Sequence, residues 1–141
     1  MFRVLSQPKA MILGLCATGF LSASAMAAAP AMTAEEFDHY ATGKTLTYAQ
    51  DGVIFGTEQY LPGRRVRWAF TGDQCQIGHW YPMGELICFE YEAGDAPQCW
   101  KFWKGETGLM AQFEGDPAGT ALSEVRQTDG PLSCTGPDVG V

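Results

Sequence analysis

Histidine is scarce in this chain: His39 and His79 are the only two in 141 residues. There is no Cys-x-x-Cys pair, no His-Glu-x-x-His and no Gly-x-Ser-x-Gly. Those absences exclude the usual zinc-site spacings, the metalloprotease helix and the hydrolase nucleophile elbow. Cationic side chains are also few, nine Lys and Arg against 16 Asp and Glu. So acidic a balance repels nucleic acid and anionic lipid and favours basic partners or plain solubility. Long hydrophobic runs are missing too. The most apolar stretch, 11–21, is about half the roughly 20 residues that a membrane-spanning helix needs.

What that stretch does resemble is an export signal. Arg3 and Lys9 form a basic start, 11–21 an apolar core, and Ala25-Met26-Ala27 a small-residue cleavage site. That order predicts a secretory signal over 1–27 and a mature domain over 28–141, with no stable membrane insertion after cleavage. Leu13-Gly14-Leu15-Cys16 offers a rival reading as a lipoprotein signal, but Leu15 is bulkier than such a site wants. A retained anchor is the third reading.

Removing 1–27 leaves 114 residues, one small domain, with seven basic and 16 acidic side chains and hence a net charge of −9. It also removes Cys16. The remaining Cys75, Cys88, Cys99 and Cys134 make an even set, which in an exported chain predicts two disulfides. Spacing leaves all three pairings open.

Thr33 and Glu36 have the spacing of a capping box, with Glu35, Glu36 and Asp38 in a first turn and Phe37, Tyr40 and Ala41 on one face. A helix of about two turns ending near Gly43 follows, too short to stand undocked. Beyond it the helical period stops. Runs over 44–49, 53–60, 65–70, 76–81, 85–91, 98–103, 109–113 and 120–126 read as strands, divided by Gly, Pro and Asp clusters. Short loops make neighbours antiparallel. The expected fold is mainly β: a short N-terminal helix followed by an antiparallel meander of about eight strands, barrel-like, with a sandwich as the other way to close it. Several central strands carry apolar or aromatic residues on both faces, which calls for cover by the helix, a partner, or a ligand in a barrel mouth.

Few residues carry chemistry. Asp38, His39 and Ser123 or Ser133 contain the residue types of a triad, but nothing in the sequence brings them together. Glu90 and Glu92 share a strand face, where solvation is the default. Arg64, Arg65 and Arg67 are three of the seven cations of the mature chain. On one face, guanidinium groups hold carboxylate or phosphate bidentately; alternatively they pair with Glu58 or Glu90 on an exterior face. Trp68, Trp80, Trp100 and Trp103 belong to a dense aromatic set that suits either a core or a pocket for a flat or sugar-like ligand. Arg65, Arg67, Trp68, Trp80, Trp100 and Trp103 are therefore the candidate ligand-binding residues, and no catalytic or metal-ligating residue is assigned.

The run from Gly56 through Pro62-Gly63-Arg64-Arg65 to Trp68, then Gly78-x-Trp80-Tyr81, Leu86-Ile87-Cys88-Phe89 and Cys99-Trp100-x-Phe102, resembles small secreted proteins of alphaproteobacteria of the Rhodobacter type, in domain-of-unknown-function groups. The resemblance covers about 33–138. It implies an exported, periplasmic, β-rich protein and brings no catalytic residues with it. The expectation is a periplasmic binding or interaction protein rather than an enzyme, needing no cofactor and taking a small ligand or a basic protein. The alternative is an inhibitor of a secreted hydrolase such as a lysozyme or protease, since an acidic barrel suits the cleft of a basic enzyme.

Overall fold

The computed structural model describes residues 29–70, 74–94 and 96–134. The expected signal over 1–27, with Cys16, lies outside them. Helix α1 (Ala34–Ala41) leads into eight strands, β1 (Thr45–Gln50), β2 (Val53–Leu61), β3 (Arg65–Phe70), β4 (Gln76–Met83), β5 (Leu86–Tyr91), β6 (Gln98–Lys104), β7 (Leu109–Phe113) and β8 (Leu122–Thr128). Every strand pairs antiparallel with its sequence neighbour, and β8 returns to β1, so the sheet closes into a barrel. Closure leaves no sheet edge open and settles the choice against a sandwich.

The helix forms where its capping residues put it. The Thr33 hydroxyl accepts from the Glu36 N–H, and the Glu36 carboxylate accepts from the Thr33 N–H. Its job in the fold is done by one side chain. Phe37 enters one end of the barrel and meets Tyr60, Trp80 and Phe89 edge-on, with Phe102 tilted against it at 4.6 Å between ring centroids. Nothing of Phe37 remains exposed. Burial of such a ring contributes about 2–3 kcal/mol. The backbone ties the same end down: Met32 N–H donates to Phe102 C=O and Gly43 N–H to Tyr60 C=O. The helix is a plug, and it supplies the cover that the two-faced strands demand at that end.

Side-chain alternation then fixes the interior. Leu46 and Tyr48, Tyr60, Val66 and Trp68, Trp80, Ile87 and Phe89, Phe102, Leu109 and Ala111, and Leu122 form one buried cluster. Two bulges beside Tyr48 adjust the pattern. On β2, Tyr48 faces Gly56 and Ala49 faces Ile54, so Phe55 is an extra residue. On β8, Thr47 faces Arg126 and Tyr48 faces Glu124, so Val125 is extra. A bulge re-aims its neighbours. Here Glu124 turns inward while Arg126 stays outside, its Nε donating to the Thr47 hydroxyl.

The cysteines pair as Cys75–Cys134 and Cys88–Cys99. The second joins cross-strand partners on β5 and β6. The first ties the segment after β8 back to the start of β4, closing 59 residues of chain. By loop-closure entropy the long bridge contributes about 4 kcal/mol and the short one, across 11 residues, about 3.

Candidate functional site

At the end opposite the plug the interior is not filled to the rim. A chamber of about 120 Å³ lies inside the barrel, with Tyr60 and Phe102 towards the plugged end and Phe55, Phe70, Gln76, Gln98 and Trp100 towards the mouth. At about 30 Å³ per water, that volume takes roughly four waters, or one ligand of about a single ring. Phe70 is 40% exposed at the rim, and Val53 and Ile54 beside it are exposed as well.

Local sequence explains the space. Gly56 of β2 faces inward across from Phe70 of β3, and a Cβ there would fall inside the Trp68 indole. Gly78 of β4 does the same for Tyr91, whose ring occupies the place of its missing side chain. Two glycines thus let two large aromatics lie flat against the wall. The bulge at Phe55 turns an otherwise outward residue to Trp68, 5.8 Å away between centroids, and to Phe70 at 5.5 Å.

One charged side chain lines this aromatic chamber. Glu58 on β2 is 2% exposed. Its Oε2 accepts a hydrogen bond from the Tyr91 hydroxyl at 2.9 Å. Its Oε1 is buried with no hydrogen-bond partner among the described residues. Burial pushes the carboxyl well above its ordinary range, and the Tyr91 bond offsets only part of that. The neighbouring Tyr48 and Tyr60 hydroxyls bond each other at 2.9 Å. Burial raises both phenols, and the charge of Glu58 pushes them the same way.

The structure divides the residues singled out from sequence. Trp68 and Trp100 line the chamber. Trp80 does not: it is 1% exposed and packed against Phe37 at the plugged end, with the Arg64 guanidinium 4.7 Å from its ring. Trp103 is half-buried on the outer face, opposite Met110. Arg65 and Arg67 also lie outside. Arg65 is exposed and its Nε donates to Pro62 C=O. Arg67 reaches Gln59 Oε1 and the Cys134 sulfur. Neither arginine lines the chamber. The pairing of these arginines with Glu58 is overturned, because Glu58 shares its alternation with Gly56 and Tyr60 and so points inward. Glu90 pairs at 3.9 Å with exposed His79 instead. The triad residues do not converge: Asp38 accepts from Thr42, and Ser123 donates to Ala49 C=O. Among the described residues no group of three or more His, Cys, Asp or Glu is placed to hold a metal ion.

The inward-facing Glu58 and its hydrogen bond from Tyr91 are not legible in the sequence. A Glu in an alternating strand looks alike on either face. The one signal that distinguishes it is the spacing Gly56-x-Glu58-x-Tyr60, a glycine and a large aromatic flanking an acid on one face. No family model, curated protein or solved structure matches this chain.

Proposed function

We propose that this protein is an exported, periplasmic binding protein that holds a small, largely apolar ligand inside its barrel and performs no chemistry on it. The observation that carries this reading is the chamber itself: an aromatic-lined cavity, sealed at one end by Phe37 and open at the other. Barrel mouths of this kind are common ligand sites. The two disulfides fit an oxidising compartment.

Two of the four tryptophans line the chamber, so binding reports itself. Titration with a panel of small aromatic and branched aliphatic compounds should change the intrinsic fluorescence saturably. Trp100→Ala should weaken the best binder at least about tenfold, the loss expected when one large aromatic wall is removed. A panel that never saturates, or an affinity unchanged in Trp100→Ala, would overturn the reading.

A further inference from the structure

The chamber's polar chemistry is lopsided. Nine of its lining side chains are aromatic, Gln76 and Gln98 stand near the mouth, and Glu58 is the sole charged group. No Lys, Arg or His lines it among the described residues. An anionic ligand would meet a carboxyl group and find no cation to pair with. That corrects the expectation of an anion-selecting mouth built from Arg65 and Arg67.

Glu58 is also incompletely bonded. A buried polar atom without a partner costs free energy, and native proteins seldom tolerate one without a use for it. The Tyr91 hydroxyl holds the carboxyl group through Oε2, leaving Oε1 unpartnered but almost without accessible surface, so a donor in the chamber meets it only as the carboxyl group turns towards the chamber. Aromatic rings line the chamber around it, and the faces of such rings attract cations most strongly when water is excluded.

We propose that the chamber selects a small organic ammonium ion, which donates an N–H to Glu58 Oε1 while its carbon frame packs against Trp68, Tyr91 and Trp100. The inference rests on the chamber being the binding site and names the ligand class it takes. Binding proceeds with a proton balance. At a pH below its raised pKa the carboxyl group holds its proton in the free protein and gives it up to solvent as the ammonium ion enters, and carboxylate and cation then neutralise each other. The groups facing Glu58 are Tyr91 of β5, Tyr48 of β1 and Tyr60 of β2. All three are phenols raised by burial, so none competes for that proton in neutral solution.

Benzylammonium and ethylbenzene share shape and size and differ in the charged N–H donor, which makes them the decisive pair. Calorimetric titration of the full mature protein should show benzylammonium binding at least about tenfold more tightly, the worth of one charge-assisted hydrogen bond. Its affinity should rise with pH by up to about tenfold per unit until Glu58 is ionised in the free protein. Glu58→Gln should lose the preference and the pH slope yet still bind ethylbenzene. Ethylbenzene binding as tightly as benzylammonium, or a preference that survives Glu58→Gln, would overturn the ammonium inference while leaving the binding chamber standing. Failure of both compounds to bind would overturn both. Should Glu58→Gln not fold, wild-type titrations in two buffers of different ionisation heat replace it: a proton released on binding is expected, and none overturns the inference.

Discussion

The two ends of this barrel each bury a glutamate, and they treat it differently. At the plugged end Glu124 Oε2 accepts from both the Tyr40 hydroxyl and the Leu109 N–H, each at 2.8 Å. Lys44 stands 4.3 Å over the Tyr40 ring, and burial together with the Glu124 contact pushes the Tyr40 phenol up to about 12. Gly108 leaves room for the Glu124 carboxylate. Near the mouth Glu58 has Tyr91 on one oxygen and nothing on the other. Burial alone does not distinguish the two acids, since both are nearly inaccessible. What differs is the number of bonds and the fate of the second oxygen: Glu124 collects two donors on Oε2, whereas Glu58 collects one, and among the described residues its Oε1 is the buried side-chain oxygen left without a partner. Two donors from a helix and a neighbouring strand pin structure at the plugged end.

Two tryptophan truncations separate the ends most clearly. Trp80 is wedged between Phe37 and the Arg64 guanidinium at the plugged end. Trp80→Ala should cost about 3–5 kcal/mol in a denaturant titration, the usual range for a core aromatic. Trp100 is half-buried near the mouth with its face to the chamber. Trp100→Ala should cost only about 1–2 kcal/mol, because part of that ring already meets solvent. Equal losses at the two positions would erase the distinction between a packed end and an open end.

Next in size is the pH dependence that Glu58 imposes on stability. Its carboxyl group titrates near 4.5 in the unfolded chain and well above that in the fold. Below the unfolded value both states hold the proton and Glu58 contributes its full share. As pH rises, the unfolded state releases its proton first. Stability then falls by up to about 1.4 kcal/mol per pH unit and levels off once the folded group ionises too. Glutamine does not titrate. Thermal melts of Glu58→Gln should therefore lie closest to wild type near pH 4 and gain on it towards neutrality. A gap independent of pH would mean that Glu58 is ionised in the fold and that its burial costs less than the geometry implies.

Much of the architecture was legible in the chain. The strand runs over 65–70 and 109–113 end where alternation and turn residues put them, and the capping box at Thr33 closes both of its bonds. Local chemistry wrote those features. Ends set by tertiary pairing drifted. The fourth strand runs on through Pro82 to Met83 because they pair with Ile87 and Leu86, and the last begins at Leu122, where the β7 ladder takes it up. The site was legible only in part. Trp68 and Trp100 stood out as large aromatics, but nothing local separates them from Trp80, whose burial depends on a helix docking some 40 residues away in sequence. Glu58 was hidden more thoroughly. An inward acid breaks the rule that alternation rests on, so it is read as an outward one.

The smallest expected effects are those of the arginines. Three arginines near a tryptophan suggested a polar anchor for an anion, and the structure puts their guanidinium groups elsewhere. Arg65 makes one long bond, 3.3 Å to Pro62 C=O, from an exposed position. Arg65→Ala should change stability by no more than about 0.5 kcal/mol, as for other surface substitutions. Arg67 should cost slightly more. It contacts Gln59 Oε1, which also accepts from the Leu132 N–H, so it helps hold the segment that Cys134 pins to Cys75. Both effects belong to the outer wall. Ligand affinity measured by tryptophan fluorescence should be the same in Arg65→Ala, Arg67→Ala and wild type, because each guanidinium is separated from the chamber by the sheet itself. A tenfold loss in either variant would place recognition on the convex face and return the arginines to the centre of the mechanism. Unchanged affinity beside a loss in Glu58→Gln would localise recognition to the interior of the barrel, where charge is scarce and each group counts for more.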